Sequence, residues 1–316
     1  MTDMEFRRLG RSGLVVSAAG LGCNNFGFRL DLDASRPVIN AALDAGVTLF
    51  DTSDSYGASE EILGEVLEGR RDDVVLATKF GTDLRGANGA DWGARGARRY
   101  VRKAVERSLR RLRTDWIDLY QLHLPDNATP IDETLSVLTD LVREGKVRYI
   151  GSSNLKAWQV ADADWVARTK GLEPFISAQN DYSLLKRGAE LELLPACEHY
   201  RIGFLPYFPL ASGLLTGKYR RGEPPAEGTR MHAWNRASQL TDATFDVVEK
   251  IEAFAAERSV TIGDVAIGAL AAQPAVASVI AGATSPAQVA ANVGALAWHP
   301  SPEDLAALRE LLPPPA

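Results

Sequence analysis

Short apolar runs alternate with longer stretches of helical spacing along most of this chain. Eight of the runs have the character of strands, and they start at residues 15, 48, 74, 116, 147, 175, 202 and 276. Between them, apolar residues recur about three and four positions apart, which is the spacing of one helix face. Strands that are apolar on both faces and separated by helices indicate a parallel sheet covered by helices.

The number of these units predicts the architecture. Eight β/α units within about 270 residues are typical of a TIM barrel, and an open doubly wound sheet is the alternative. Residues 1–14, in which Gly10 and Gly13 mark turns, are expected to form a small hairpin ahead of the barrel. Helical spacing at residues 242–258, 262–273, 286–296 and 302–312 predicts extra helices toward the C-terminus.

Residues 208–241 interrupt the alternation after the seventh predicted strand. They contain seven Gly and Pro residues and little regular apolar spacing. Loops of this length are uncommon and are usually lids, binding loops or disordered segments. No Pro- or Ser-rich linker divides the chain elsewhere, so we expect one domain over residues 1–316.

Composition narrows the class of protein further. The chain has 316 residues, 46% of them hydrophobic, which suffices for a large core. A net charge of −6 makes a nucleic-acid partner unexpected. Two cysteines and four histidines show neither a disulfide framework nor metal-ligand spacing, so no metal is expected. No apolar run approaches the roughly 20 residues of a membrane span, and residues 1–8 lack a signal-peptide core, which predicts a cytoplasmic protein without a membrane partner.

Polar side chains close the predicted strands. Asp51 closes the second strand, Lys79 the third and His123 the fourth. Because active sites of TIM barrels lie at the C-terminal ends of the strands, we expect these side chains to converge. The later strands are closed by Ser152, Ser153 and Asn154, by Gln179 and Asn180, by Tyr207 and by Gly282.

These residue types suggest carbonyl chemistry. Tyr56 follows Asp51 closely, and a phenol has a pKa near about 10. An ammonium at roughly 4 Å stabilises the phenolate by about 4 kcal/mol, so Lys79 is expected to lower the pKa of Tyr56 toward neutrality. Asp51 would hold Lys79 charged, and a neutral His123 would orient a carbonyl oxygen. Tyr56 would then act as a general acid in a reduction that needs a hydride donor.

The chain resembles the aldo-keto reductase family over nearly its whole length. The matching segments are RLGRSGLVVS at 8–17, GVTLFDTSDSYG at 46–57, ATK at 77–79, DWIDLYQLH at 115–123, GKVRYIGSSN at 145–154 and LASGLLTGKY at 210–219. The resemblance implies a TIM barrel that binds a nicotinamide cofactor, usually NADPH, without a Rossmann domain. It also implies that Asp51, Tyr56, Lys79 and His123 are the four catalytic residues.

The same resemblance implies a set of cofactor-binding residues. Ser153, Asn154 and Gln179 would bind the nicotinamide amide, and Tyr207 would stack on the ring. The loop after the seventh strand would cross the pyrophosphate, and the last strand and helix would hold the adenosine. With Asp51, the full set also includes Phe208, Pro209, Leu210, Ser212, Gly213, Lys218, Arg230, Gly282, Thr284, Gln288 and Asn292.

The adenosine end departs from the better-known members of the family. Many of them carry Lys where Gly282 stands, Arg at Gln288 and Glu at Ala291. The contact to a 2′-phosphate would then fall to a cation of the long loop, from the set Lys218, Arg220, Arg221 and Arg230. NADPH is the expected cofactor, and NADH is the alternative.

The sequence therefore predicts an NAD(P)H-dependent oxidoreductase that reduces a small aldehyde or ketone to an alcohol. Tyr56 would be the general acid, supported by Lys79 and Asp51, and His123 would orient the carbonyl. The natural substrate and the oligomeric state stay open at this stage. One alternative is a cofactor-binding regulatory subunit with little turnover, as in the potassium-channel β-subunit-like branch. The other is a dehydrogenase that mainly oxidises a sugar or an alcohol.

Overall fold

Eight parallel strands form a closed barrel in the computed structural model, which describes residues 4–313 and 315. Closure is direct, because the last barrel strand pairs with the first through Ile280 and Gly20. The TIM barrel prediction is confirmed, and the open-sheet alternative is wrong. The barrel strands are β3 (Ala19–Gly22), β4 (Leu49–Asp51), β5 (Val75–Phe80), β6 (Ile117–Leu122), β7 (Val147–Ser153), β8 (Ser177–Asp181), β9 (Gly203–Tyr207) and β10 (Val279–Gly282).

Helices surround the barrel and bury their apolar faces against it. In α3, for example, seven residues including Val101 and Leu112 are buried, while its arginines lie on the outside. The helices are α1 (Leu32–Asp44), α2 (Ser59–Val66), α3 (Arg98–Leu112), α4 (Ile131–Arg143), α5 (Ala157–Lys170), α6 (Leu193–Tyr200), α7 (Arg230–Ala233), α8 (Asp242–Glu257), α9 (Ile262–Ala271), α10 (Pro286–Gly294) and α11 (Pro302–Leu311). Among the described residues, no helix combines the length and apolar character needed to cross a membrane.

The first predicted strand is in fact two strands. Residues 15–17 form β2 (Val15–Ser17), which pairs antiparallel with β1 (Phe6–Arg8), and the barrel begins only at Ala19. Val15 is 45% exposed, whereas Val16 is fully buried. An apolar run cannot by itself distinguish a half-exposed hairpin strand from a buried barrel strand, so the expected hairpin reaches beyond residue 14.

The hairpin closes the N-terminal end of the barrel. Leu9 and Val16 pack against barrel-interior side chains such as Leu49 and Leu205. Gly10 has a φ of 59°, and a Cβ there would lie 2.6 Å from the carbonyl oxygen of Ile176. Only glycine allows this close approach. The opposite, C-terminal end of the barrel is therefore the end left for a functional site.

The long loop after β9 is packed rather than extended. Within residues 208–241, Leu215 and Met231 are fully buried, and α7 interrupts the irregular backbone. Leu214 and Tyr219 add to the same core. We name residues 208–241 the lid segment, because several of its side chains line the cavity described below.

Candidate active site

The barrel places the candidate catalytic side chains at one end. Asp51 is the last residue of β4, Lys79 lies one residue before the end of β5, and His123 directly follows β6. Tyr56 lies in the turn between β4 and α2. The barrel thus brings together groups that are up to 72 residues apart in sequence, from Asp51 to His123.

A buried ion pair forms the floor of the site. Lys79 Nζ lies 2.5 Å from Asp51 Oδ2 and donates a second hydrogen bond of 2.9 Å to the carbonyl oxygen of Thr52. The Lys79 side chain is 0% exposed. Burial alone would lower the pKa of Lys79, but attraction to Asp51 and Tyr56 outweighs it and raises that pKa. Lys79 is therefore a fixed positive charge at neutral pH.

Two amides hold the second oxygen of Asp51. Gln179 Nε2 donates to Asp51 Oδ1 at 2.8 Å, and Gln121 Nε2 donates to the same atom at 3.1 Å. Gln121 was not singled out from the sequence. The sequence feature that could have indicated it is a polar side chain near the end of a strand that is buried throughout, two residues before His123.

Tyr56 is a half-buried phenol close to this pair. The Lys79 Nζ atom lies 5.1 Å from the Tyr56 ring centre, and the ring meets the His123 ring edge-on at 5.8 Å. Burial raises the pKa of Tyr56, and the opposing attraction of Lys79 does not cancel it. The expectation that Lys79 would lower this pKa toward neutrality is wrong, because burial is the larger effect. Tyr56 is fully protonated at neutral pH and available as a proton donor.

His123 is a neutral imidazole. Burial, and then the positive charge of Lys79, lower the pKa of His123 to about 3. Its Nδ1 lies 3.0 Å from the Ser53 hydroxyl oxygen. The other ring nitrogen, Nε2, is therefore the one left to face a ligand, as expected for a group that orients a carbonyl oxygen.

A cavity of about 820 Å³ opens above these groups. Asp51, Tyr56 and His123 line it, while Lys79 lies beneath them. Every cofactor-binding residue expected from the sequence also lines this cavity. These are Ser153, Asn154, Gln179, Tyr207, Phe208, Pro209, Leu210, Ser212, Gly213, Lys218, Arg230, Gly282, Thr284, Gln288 and Asn292.

One end of the cavity is rich in amides. Asn154 adopts a left-handed backbone conformation with φ of 61°, and its Nδ2 donates to the carbonyl oxygen of His123 at 3.0 Å. Its Oδ1 accepts the Tyr207 hydroxyl at 2.7 Å. The side-chain NH₂ group of Gln179 donates to Asp51 and to Gln121, which leaves the side-chain carbonyl oxygen of Gln179 as an acceptor.

The other end gathers cations. Arg29 lies close to three cations of the lid segment, Lys218, Arg230 and Arg236. In the part of the chain that the structure describes, none of the four forms a salt bridge. Burial first, and then the charges of Arg29 and Arg236, lower the pKa of Arg230 to about 10. Like charges that crowd without a carboxylate partner suit an anionic ligand.

The candidate cations of the lid segment are not equivalent. Arg221 donates to Asp242, Asp246 and Glu249 on and beside α8, so it does not substitute for the missing adenosine-end Lys. Lys218 and Arg230 line the cavity, while Arg220 is exposed. A Cβ on Gly282 would lie 3.1 Å from Arg230 Nη2, so Arg230 occupies space that a side chain at position 282 would need.

Residues after β3 also line the cavity, although the sequence did not indicate them as site residues. Asn24 and Asn25 accept hydrogen bonds from Arg230 at 3.1 and 3.2 Å, and Arg29 donates to the carbonyl oxygen of Gly228. Together they fasten the lid segment across the cavity. The guanidinium groups of Arg230 and Arg236 lie 4.8 and 4.7 Å from the centre of the Trp234 ring. The sequence feature that could have indicated these residues is the polar Asn-Asn pair after the first barrel strand.

Within residues 4–313, no group of three or more His, Cys, Asp or Glu side chains is arranged to hold a metal ion.

Comparison with known proteins defines the family. The Aldo/keto reductase family model matches residues 19–313. The chain is 36% identical over 305 residues to a probable voltage-gated potassium channel subunit beta of Oryza sativa subsp. japonica, covering 93% of this chain and 91% of that protein. It is 35% identical over 322 positions to the uncharacterized oxidoreductase YrpG of Bacillus subtilis (strain 168), covering 99% and 97%. It is also 31% identical over 310 positions to L-glyceraldehyde 3-phosphate reductase of Escherichia coli (strain K12), covering 93% and 88%.

The fold and the family together define an NAD(P)H-dependent oxidoreductase built on a TIM barrel. The chain belongs to the aldo/keto reductase family, whose members act on small carbonyl compounds.

Proposed function

We propose that this protein reduces an aldehyde or ketone to an alcohol with NADPH, in the cavity at the C-terminal end of the barrel. The observation that carries the proposal is the buried Lys79–Asp51 pair beneath a protonated Tyr56 and a neutral His123. One side chain there can give a proton, and another can donate a hydrogen bond without a charge. Both are needed where a carbonyl becomes an alcohol.

The amide-rich end of the cavity fits a nicotinamide. The side-chain carbonyl oxygen of Gln179 can accept from a carboxamide, and Asn154 Oδ1 has a second lone pair besides the one that accepts from Tyr207. The Ser153 hydroxyl lies beside them. The Tyr207 ring, fixed through its hydroxyl to Asn154, offers a flat face. When bound there, a reduced nicotinamide supplies hydride to the carbonyl carbon.

The cation-rich end fits the phosphates. Lys218 and Arg230 offer charge-assisted donors in the cavity, and no carboxylate neutralises them among the described residues. Phe208, Pro209, Leu210, Ser212 and Gly213 would form the edge along the pyrophosphate. Gly282, Thr284, Gln288 and Asn292 would surround the adenosine. Arg230 lies beside Gly282 and has no carboxylate partner among the described residues, which favours the extra phosphate of NADPH over NADH.

The proton then moves from Tyr56 to the carbonyl oxygen as that oxygen becomes an alcohol. Lys79 stabilises the tyrosinate that is left, and Asp51 keeps Lys79 charged and in place. His123 donates through Nε2–H to the same oxygen and holds it near the phenol. The same groups run the reverse reaction when the alcohol is supplied.

Purified protein mixed with NADPH and a panel of aldehydes and ketones tests this proposal. We expect oxidation of NADPH that depends on the carbonyl compound, followed by cofactor absorbance. Tight NADPH binding without turnover on the panel would contradict the proposal. It would favour a regulatory cofactor-binding protein, and the rice relative is named as a probable channel subunit. Turnover with NADP⁺ and alcohols alone would favour the oxidising direction.

A further inference from the structure

Asp54 is a buried carboxyl directly behind the candidate active site. It lies in the turn between β4 and α2, and it is 9% exposed. Its backbone N–H donates to the carbonyl oxygen of Lys79 at 3.2 Å. Its Oδ1 accepts the Ser53 hydroxyl over 3.4 Å, and its Oδ2 is buried without a hydrogen-bond partner among the described residues. A carboxylate that lacks a cation and leaves one oxygen unpaired is costly to bury.

The groups around Asp54 do not supply a free positive charge. The nearby Arg111 is already paired with Glu60, whose carboxylate repels a charge on Asp54. Burial first, and then Glu60, raise the pKa of Asp54 to about 7. The titratable and polar groups that face it are Glu60 on α2, Tyr100 and Arg111 on α3, Tyr120 on β6, and the amide of Asn88.

The Ser53 hydroxyl connects Asp54 to His123. This hydroxyl has one hydrogen and three neighbouring acceptors, which are Asp54 Oδ1, Ser55 Oγ at 2.9 Å and His123 Nδ1 at 3.0 Å. A neutral imidazole has one N–H, on Nδ1 or on Nε2. The Ser53–His123 hydrogen bond can therefore run in either direction, and its direction fixes which nitrogen of His123 carries the hydrogen.

We propose that Asp54 is a positioning residue whose charge selects the tautomer of His123 through the Ser53 hydroxyl; this inference rests on the role given to His123 above. When Asp54 is charged, it attracts the Ser53 hydrogen. His123 then donates through Nδ1–H to Ser53, and its bare Nε2 faces the cavity. When Asp54 is protonated, the Ser53 hydrogen turns to Nδ1, and Nε2–H faces the cavity.

The two tautomers suit different ligands. Nε2–H donates to a carbonyl oxygen, whereas a bare Nε2 accepts from the hydroxyl of an alcohol. As pH rises through neutrality, the KM for a carbonyl substrate should rise and the KM for the alcohol should fall. Loss of one neutral hydrogen bond corresponds to about a three- to tenfold change in KM.

Nitrogen NMR of the full-length protein with labelled histidine reads the tautomer without any turnover. The His123 signal is assigned with a His123→Gln variant, and pH is varied from about 5 to about 9. We expect the wild type to change from the Nε2–H to the Nδ1–H tautomer around pH 7. We expect Asp54→Asn to show one tautomer throughout, and Asp162→Asn, a change at an exposed aspartate of α5, to behave like the wild type.

Kinetics supply the second readout. Asp54→Asn should flatten the rise of the carbonyl KM between about pH 6 and about pH 8 while kcat keeps its pH profile. If Asp54→Asn does not fold, Ser53→Ala takes its place, because it removes the connecting hydroxyl and should also give a pH-independent tautomer.

A single His123 tautomer across this pH range in the wild type would overturn the inference. So would a transition that persists in Asp54→Asn or in Ser53→Ala. If the protein binds NADPH but turns over no substrate, the proposed function fails while the NMR transition still decides the role of Asp54. If turnover is present and the transition is absent, only the role of Asp54 fails.

Discussion

Burial and the nearest charges together set the charge of each key residue at this site. Lys79 stays charged because Asp51 lies 2.5 Å away. Burial keeps Tyr56 and His123 neutral, since it outweighs the attraction of Lys79 for a tyrosinate and adds to the repulsion between Lys79 and an imidazolium. One cation, one phenol and one neutral imidazole therefore meet at the floor of the cavity. The sequence predicted the charged Lys79 and the neutral His123, whereas the direction of the Tyr56 pKa shift depends on a burial that the sequence does not show.

Asp54→Asn should change how stability depends on pH. Folding raises the pKa of Asp54 from 3.8 to about 7. The stability that this carboxyl contributes to the folded protein is therefore fully present below about pH 4 and is lost as pH rises through 7. The variant lacks this loss and should be more stable than the wild type at about pH 8, by on the order of 2–4 kcal/mol. Chemical denaturation at about pH 5 and about pH 8 measures it. A difference between the two proteins that is the same at both pH values would contradict this.

At the level of elements, the lid segment joins three parts of the chain. Arg230 of α7 reaches Asn24 and Asn25 after β3, and Asn25 donates to the carbonyl oxygen of Ala283 after β10. The cavity is thus bounded by contacts that link residues more than 200 positions apart. Such contacts leave no periodic pattern in the sequence, which is why Asn24, Asn25 and Arg29 were not predicted.

Arg230→Gln should weaken NADPH binding by about 10- to 100-fold, since a charge-assisted contact to phosphate is worth roughly 1.5–3 kcal/mol. NADH binding should fall less, because NADH lacks the extra phosphate. Arg221→Gln is the matched control, because Arg221 binds Asp242, Asp246 and Glu249 instead of the cavity. Fluorescence titration with each cofactor gives the affinities. Equal losses for NADPH in the two variants would refute the role of Arg230.

The hairpin is a structural element with no part in the chemistry. Leu9→Ala should cost about 2–5 kcal/mol of unfolding free energy, because Leu9 is fully buried in the interior of the barrel floor. Cofactor affinity should stay within about twofold of the wild type, because the site lies at the other end of the barrel. Denaturation and cofactor titration test both statements. A large loss of affinity in a folded Leu9→Ala protein would show that the two ends are coupled.

The sequence predicts an element best when the pattern that causes it lies within the residues of that element. Eight barrel strands were foreseeable because most are short apolar runs that are followed or closed by a polar residue, such as Asp51 and His123. The division of residues 15–21 into β2 and β3 was not foreseeable, because hairpin strands and barrel strands share the same composition. The catalytic candidates followed from strand ends, and the cofactor set followed from family resemblance.

Over the whole molecule, the two ends of the barrel have different tasks. The N-terminal end is closed by the hairpin, and the C-terminal end holds the cavity with its ion pair, amides and cations. The net charge of −6 says little about the ligand, because one end of the cavity is lined by the cations Arg29, Lys218 and Arg230. Local fields, more than total charge, select an anionic cofactor.

The most direct test of the central claim, that Tyr56 donates the proton, is the single-turnover oxidation of bound NADPH by Tyr56→Phe. The variant should bind NADPH with wild-type affinity, because its ring stays in place. Its single-turnover rate should fall by at least about 100-fold, the usual contribution of a general acid. A rate within about tenfold of the wild type, a loss of only about 1.4 kcal/mol in the barrier, would contradict the claim.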